Sequence, residues 1–373
     1  MKASLLLSLG ALALPGVFAT PVNEIETRKS SHSFMGSNLY FLPGLSDQDQ
    51  DNYINDLSNY GVKVVRVWVN RQDSGHCEKG SKLAVSVGPL ESELGKFDDR
   101  TLDAVDKVVN KLAKKGIKSI ISPHDANSLL DDYRRDVYTK FGKSGFYSSD
   151  EAIKAYDKRI DHILNYKGAH SGKVWKNWSD AIMAFDLQNE PMSPDLSVCQ
   201  NNDQKNWLCG RAKKFRSVLG SNNKIQIATG GVGGDFSHGC TFIKAATQCP
   251  EVDLIAIHRY AGSQSNNPGQ WSGSAKNWVQ QAGGKLIFVE EWGVNTAAND
   301  AKSELPAQAN DINKVGLPNL YWQFLPKETC SYDPSQDSGD CFGIFVEGDV
   351  DIASVVKGAS NAGALQDWSK VIG

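Results

Sequence analysis

From residue 34 onward the chain repeats one pattern eight times: an apolar, strand-like run, then an amphipathic helical run or a loop long enough to hold a helix. The strand-like runs are Phe34–Tyr40, Val62–Val69, Ile117–Ser122, Ile182–Leu187, Ile225–Ala228, Leu254–His258, Leu286–Glu290 and Asn319–Phe324. In the fourth, Ile182, Met183, Ala184, Phe185 and Leu187 leave no apolar–polar alternation, as expected of a strand buried on both faces of a parallel sheet. Between the runs, Leu102, Val105, Val108, Val109 and Leu112 recur at helical spacing and predict a helix over Asp98–Lys115 that stops at Gly116. Further helices are predicted over Asp51–Tyr60 and Asp150–Tyr166. Eight such units imply an α/β fold, a single (β/α)8 TIM barrel, more than an open sheet. No G-x-G-x-x-G follows the first strand and no Walker sequence is present, which removes the main argument for a nucleotide-binding fold. The longest insertions fall between strands two and three and between strands three and four, the latter running over 125–180.

The ends of the chain suggest how it is handled. Lys2, an apolar run from Leu5 to Phe18, and the small-residue sequence Val17-Phe18-Ala19 predict a secretory signal over residues 1–19, too short to span a bilayer. A loose leader then covers 20–33, and the catalytic-type domain covers 34–373. We expect a released, extracellular monomer with no membrane partner. A formal charge of −3 without a basic cluster argues against a nucleic-acid partner.

Secretion makes disulfides plausible. Six of the seven cysteines lie in close pairs, Cys199 with Cys209, Cys240 with Cys249 and Cys330 with Cys341, and local pairing is the simplest connectivity. Cys77 is left over, either as a free thiol or as the partner of one of these six. The sequon at Asn177 offers one glycosylation site.

In a (β/α)8 barrel, chemistry collects at the C-terminal ends of the strands. There the sequence delivers Arg66 and Trp68, His124 and Asp125, Asn189 and Glu190, His258 and Tyr260, Glu290, Glu291 and Trp292, and Trp322. Glu190 ends a buried run, where an unpaired carboxylate is expensive and therefore a candidate for chemistry. No strand end offers a His-x-His pair, so no metal or other cofactor is expected. Strand alternation would send Glu290 and Glu291 to opposite faces, with Glu290 structural. The nine tryptophans suit core packing and sugar stacking equally; Trp68, Trp175, Trp178 and Trp292 are open to either use.

The motifs NEP at 189–191, HRY at 258–260, EEWG at 290–293 and VRVW on strand two resemble glycoside hydrolase family 5 over roughly residues 34–330. The resemblance implies a carbohydrate substrate, Glu190 as acid/base and Glu291 as nucleophile. It also implies that Asn189 bonds the sugar 2-hydroxyl, that Arg66, His258 and Tyr260 surround the nucleophile, that Trp322 is the sugar platform, and that His124 is the strand-three histidine of the site. A retaining glycosidase needs one protonated and one ionised carboxyl about 5–5.5 Å apart. Arg66 and Tyr260 are expected to keep Glu291 ionised, and its charge to raise the pKa of Glu190.

The opening GSNLYFL resembles the mannanase-like branch, whereas FDLQ before NEP, VWVN at the end of strand two, and EEWG depart from the usual cellulase and mannanase patterns. The sequence therefore points to a β-mannan-active hydrolase. The competing readings are a β-glucanase, a diglycosidase of the rutinosidase kind, and a carbohydrate-binding barrel without catalysis.

Overall fold

The computed structural model describes residues 31–130, 134–191, 203–232, 241–260, 269–337 and 340–372. The signal segment, nearly all of the leader, Cys199 and Cys240 lie outside the described residues. Eight parallel strands close into a barrel in the order of the chain: β1 (Met35–Asn38), β2 (Val64–Trp68), β3 (Lys118–Ser122), β4 (Ile182–Asp186), β5 (Gln226–Ala228), β6 (Leu254–His258), β7 (Leu286–Trp292) and β8 (Asn319–Tyr321). Strand β1 pairs with both β2 and β8, which completes the ring. All eight expected strands are present: β6 has the expected bounds, β7 runs two residues further, to Trp292, and the other six are shortened.

The helices begin and end where local chemistry directs. Ser46 accepts from the Asp49 amide at 3.1 Å, so the first helix starts at Asp47, four residues before the expected Asp51, and Gly61 closes it. The helix Arg100–Lys114 buries Leu102, Val105, Val108, Val109 and Leu112, the face its periodicity marked. Ser149 caps Asp150–Asn165 in the same way as Ser46. No described helix is long and apolar enough to cross a membrane.

Two apolar layers result. The larger lies between the strands and the surrounding helices. The smaller fills the barrel, with Val64, Ile120, Ala184, Ala256, Phe288 and Leu320 facing inward, and Phe34 and Trp368 packed edge to face at 5.5 Å across its floor. Along β2 the inward residues continue as Val64, Arg66, Trp68, so the period of two carries the strand from an apolar floor to a charged mouth.

The disulfides differ from the local pairs. Cys77 bonds Cys330, and Cys209 bonds Cys249, while Cys341 is a buried free thiol. Cys330 follows a segment tied to the hairpin Cys77–Lys82: the Thr329 and Cys330 amides both donate to Gly80 O. Cys341 is held elsewhere, its carbonyl accepting from Thr296. Cys209, on the helix Trp207–Leu219, meets Cys249 just after the neighbouring helix Lys244–Gln248. Adjacency around the barrel, not adjacency in sequence, selects these bonds.

Candidate active site

A cavity of about 900 Å³ opens at the C-terminal mouth of the barrel, lined by Glu190, Glu291, Asn189, Tyr260, Trp68 and Trp322 among others. Glu190 arrives there in a strained backbone conformation, φ +46°, which a non-glycine residue adopts only where its surroundings fix it. Its amide donates to Gly230 O at 2.8 Å. Gly230 and Gly231 make this close approach feasible: both have positive φ, and a Cβ would fall 1.8 Å from Gln188 O at the first and 2.1 Å from the His258 ring at the second.

Glu291 reaches the cleft by an irregularity that strand periodicity does not anticipate. The register with β6 steps from Ile257–Val289 to His258–Glu291, and that with β8 from Val289–Asn319 to Tyr321–Trp292. One residue, Glu290, is thus inserted as a β-bulge, and Glu290 and Glu291 both turn toward the barrel axis. The expectation that they face opposite ways is corrected by this bulge.

Arg66 and His258 lie beneath the two catalytic candidates, essentially without exposure, and do not line the cavity; they act through the carboxylates and not on a ligand directly. Arg66 Nη1 donates to Glu291 Oε1 at 2.6 Å, Nη2 to Asn189 Oδ1 at 2.8 Å and Nε to Asp186 Oδ2 at 2.8 Å. The Tyr260 hydroxyl donates to Glu291 Oε2 at 2.6 Å. His258 Nδ1 stands 3.0 Å from Glu190 Oε1 and 3.4 Å from Glu291 Oε2, and its Nε2 stands 3.0 Å from Glu290 Oε2. With a carboxyl group against each nitrogen, His258 carries both protons: burial disfavours its charge, yet Glu291, Glu190 and Glu290 raise its pKa to about 10.

Asn189 is fixed in orientation, because its oxygen accepts from Arg66 and its Nδ2 donates to Asp125 at 2.8 Å. Among the described residues nothing accepts the second amide hydrogen, and Asn189 lines the cavity wall. His124 reaches the cleft wall, but Gln188 Nε2 donates to its Nδ1 at 2.8 Å and its Nε2 lies 2.9 Å from Asp136, with Phe146 stacked on the ring. Both nitrogens are therefore committed within the protein. Trp322 and Trp68 form a layered cluster with Tyr40, and Trp322 Nε1 donates to Asp340 at 2.6 Å. Trp175 and Trp292 are fully buried, with their Nε1 donating to Asp106 and Asn319, so they serve packing.

The proton order departs from expectation. Burial raises the pKa of Glu291 to about 7, against the pull of His258 and Arg66. Burial also acts on Glu190, but the His258 hydrogen bond and charge, with Asn127 and Arg66, outweigh it and hold Glu190 below its ordinary value. The Glu190 charge adds to burial at Glu291, and the His258 hydrogen bond lowers Glu190, so in the protein alone the proton favours Glu291.

One donor atom each of Glu190, His258 and Glu291 lie within 4.8 Å of one another, a spacing that could also hold a metal ion, but His258 already presents a proton to both carboxylates. Cys209, Cys249 and Glu251 cluster as well, but their sulfurs are joined to each other. Sequence reasoning missed Tyr40, Asn127 and Gln188; Gln188 alone carried a signal, its position beside the NEP motif.

An eight-stranded parallel barrel whose mouth holds two carboxylates backed by an arginine, a histidine and a tyrosine defines the class of barrel O-glycosyl hydrolases. The family profile described as Cellulase (glycosyl hydrolase family 5) matches residues 22–328, and the chain belongs to that family. The mannan endo-1,4-beta-mannosidase F of Aspergillus fumigatus is 27% identical over 325 residues, 81% of this chain and 68% of that protein. The mannan endo-1,4-beta-mannosidase A of Hypocrea jecorina is 26% identical over 315 residues, 78% of this chain and 66% of that protein. The chain thus spans about two thirds of the length of the curated relatives it matches. The crystal structure of the endo-1,4-beta-mannanase from Rhizomucor miehei superimposes with a TM-score of 0.66 at 21% identity, covering 88% of this chain and 94% of that one, and shares the fold.

Proposed function

We propose that the chain is a secreted, retaining β-glycoside hydrolase acting on β-1,4-mannan, with residues 34–373 as its catalytic domain. The observation that carries the reading is the spacing of the two carboxylates: an oxygen of Glu190 and an oxygen of Glu291 lie within 4.8 Å. That is near the separation of about 5–5.5 Å used for double displacement and short of the 6.5–9.5 Å that admits a water between them.

In the first step Glu190 gives its proton to the glycosidic oxygen, the bond from that oxygen to the anomeric carbon breaks, and a Glu291 oxygen bonds the anomeric carbon. In the second, Glu190 takes a proton from water, the water oxygen bonds the carbon, and Glu291 leaves. The proton must sit on Glu190 when the first bond breaks. His258 Nδ1, at 3.0 Å from one carboxylate and 3.4 Å from the other, can move its support from Glu190 to Glu291 by a small shift. Arg66 and Tyr260 keep donors on the nucleophile throughout. The free Asn189 amide hydrogen suits the 2-hydroxyl, and Trp322 supplies an apolar face for the ring.

The relatives' names, mannan endo-1,4-beta-mannosidases, support mannan as the substrate. A second reading, release of a disaccharide from a glycoside end, is favoured by the Cys77–Cys330 bond, which draws the hairpin Cys77–Lys82 and the segment after β8 together beside Trp322. Mass spectrometry of products from β-mannan, mixed-linkage β-glucan and a flavonoid rutinoside, using wild type, Glu190→Ala and Glu291→Ala, decides. A mannan ladder from wild type alone supports the proposal, and a single disaccharide from the rutinoside moves the chain to the second reading. Binding without cleavage of any of the three would make it a carbohydrate-binding barrel. Equal activity of both variants and wild type would overturn the catalytic pair.

A further inference from the structure

Beneath the catalytic candidates lies a second pair of acids, Asp186 at the end of β4 and Glu290 in the β7 bulge, both wholly buried and neither lining the cleft. Each has one oxygen well served. Asp186 Oδ2 accepts from Arg66 Nε at 2.8 Å and from the Ser122 hydroxyl, and Glu290 Oε2 faces His258 Nε2 at 3.0 Å. Each also has one oxygen without a hydrogen bond among the described residues, Asp186 Oδ1 and Glu290 Oε1, although Arg66 Nε stands 3.5 Å from the latter. Two buried carboxylates that converge on the same Arg66 Nε, each with an oxygen that no described group hydrogen-bonds, are placed to share a hydrogen.

We propose that Asp186 and Glu290 hold a single proton between them, and that this proton makes Asp186 a positioning residue for Arg66 and His258.

The charge balance agrees. Two cations, Arg66 and His258, are ion-paired to four carboxyl groups, Asp186, Glu190, Glu290 and Glu291. Four ionised carboxylates would leave two uncompensated negative charges in a buried site, which is expensive. Two retained protons cancel them: one on the upper pair, where it does chemistry, and one on the lower pair, where it stays. Facing the lower pair are Arg66 from β2, Ser122 from β3, His258 from β6 and Glu291 from β7, with Tyr156 of the helix Asp150–Asn165 nearby; Arg66 and His258 alone among these are cationic. Burial and the Glu290 charge push Asp186 up to about 8, whereas Arg66 and His258 outweigh burial at Glu290 and lower it, so the proton resides on Asp186 and hydrogen-bonds Glu290. In that form Arg66 is shared among Asp186, Asn189 and Glu291; without it, Asp186 and Glu290 would pull the guanidinium and the imidazolium down and away from the reacting carboxylates.

Infrared spectroscopy of the full chain in the carboxylic C=O stretch region tests the proton directly. Wild type at pH 6.5 should show a carboxylic acid band from the cleft-lining upper pair that exchanges at once in D₂O, and a second band, slow to exchange and gone by pH 10, that is missing in both Asp186→Asn and Glu290→Gln. In each variant an amide N–H replaces the proton. Absence of a slowly exchanging acid band from wild type overturns the proposal whatever the variants do, and so does its persistence in either folded variant. The kinetic consequence rests on the glycosidase reading. Asp186→Ala should lower kcat by about 10²-fold, the effect of a misplaced catalytic group, with KM little changed. Asp186→Asn, which keeps the donor, should recover at least tenfold of that loss. An equal loss in both variants would overturn the positioning role. The infrared readout needs no substrate, so it stands or falls independently of the proposed reaction.

Discussion

Replacing Cys330 by serine separates the two disulfide readings by stability. The Cys77–Cys330 bond has a sequence separation of 253, whereas a Cys330–Cys341 bond would close only a short loop. In the chain-entropy account, closing a loop of that length removes about 5.5 kcal/mol of denatured-state entropy, against about 3 kcal/mol for the short one. For roughly 340 folded residues the entropy of unfolding is about 0.7 kcal/mol/K, so the loss of about 5.5 kcal/mol lowers Tm by about 8 °C. Cys77→Ser should cost the same as Cys330→Ser, and the double variant no more than either single. Cys341→Ser should leave Tm nearly unchanged, since its thiol is free. Differential scanning calorimetry at fixed scan rate, with non-reducing peptide mapping, measures this. Equal shifts for Cys330→Ser and Cys341→Ser, with none for Cys77→Ser, would refute the reasoning and restore the local pair.

Three further outcomes follow from the site. Glu190→Gln should lower kcat by about 10²–10⁴-fold on substrates with poor leaving groups, and much less on an activated aryl glycoside that needs no acid, as stopped assays on both would show. The profile of kcat/KM should fall above about pH 7, where the upper carboxyl pair loses its last proton; a flat profile to pH 9 would contradict the shared proton. Because Glu291 is raised from 4.5 to about 7 on folding, its contribution to stability is full below 4.5 and is lost as pH rises through 7, a difference on the order of 3 kcal/mol. Glu291→Gln should therefore be more stable than wild type in urea at pH 8, and the gap should close near pH 5.

The barrel was legible because its strands are local signals. An apolar run of four to seven residues, a cap and an amphipathic face each report on themselves, and Ser46 could have moved the first helix to its true start had its capping role been weighed. The candidate site residues were legible for a related reason: in this topology the last residues of every strand converge, so Arg66, Glu190 and His258 needed only their strand positions to be brought together, whereas Glu291 joins them through the β7 bulge. Function beyond these residues was less legible. Gln188 and Asn127 enter the site through the atoms they touch across the barrel mouth; Gln188 was marked only by its place beside the NEP motif, and Asn127 by no composition or spacing.

Three features belonged to the tertiary structure alone. The bulge that turns Glu291 inward beside Glu290 depends on how β7 registers with both neighbours, and a period of two along a single strand contains no record of a partner's register. Cysteine pairing depends on which loops meet around the ring, so Cys77 and Cys330 join although most of the chain lies between them. The protons depend on burial and on charge summed over β2, β4, β6 and β7, which set Glu291 above Glu190 against the expected order. Patterning within a segment determined the elements and the ends where chemistry gathers; pairing between segments, a matter of distances in space, decided their charge, register and bonds.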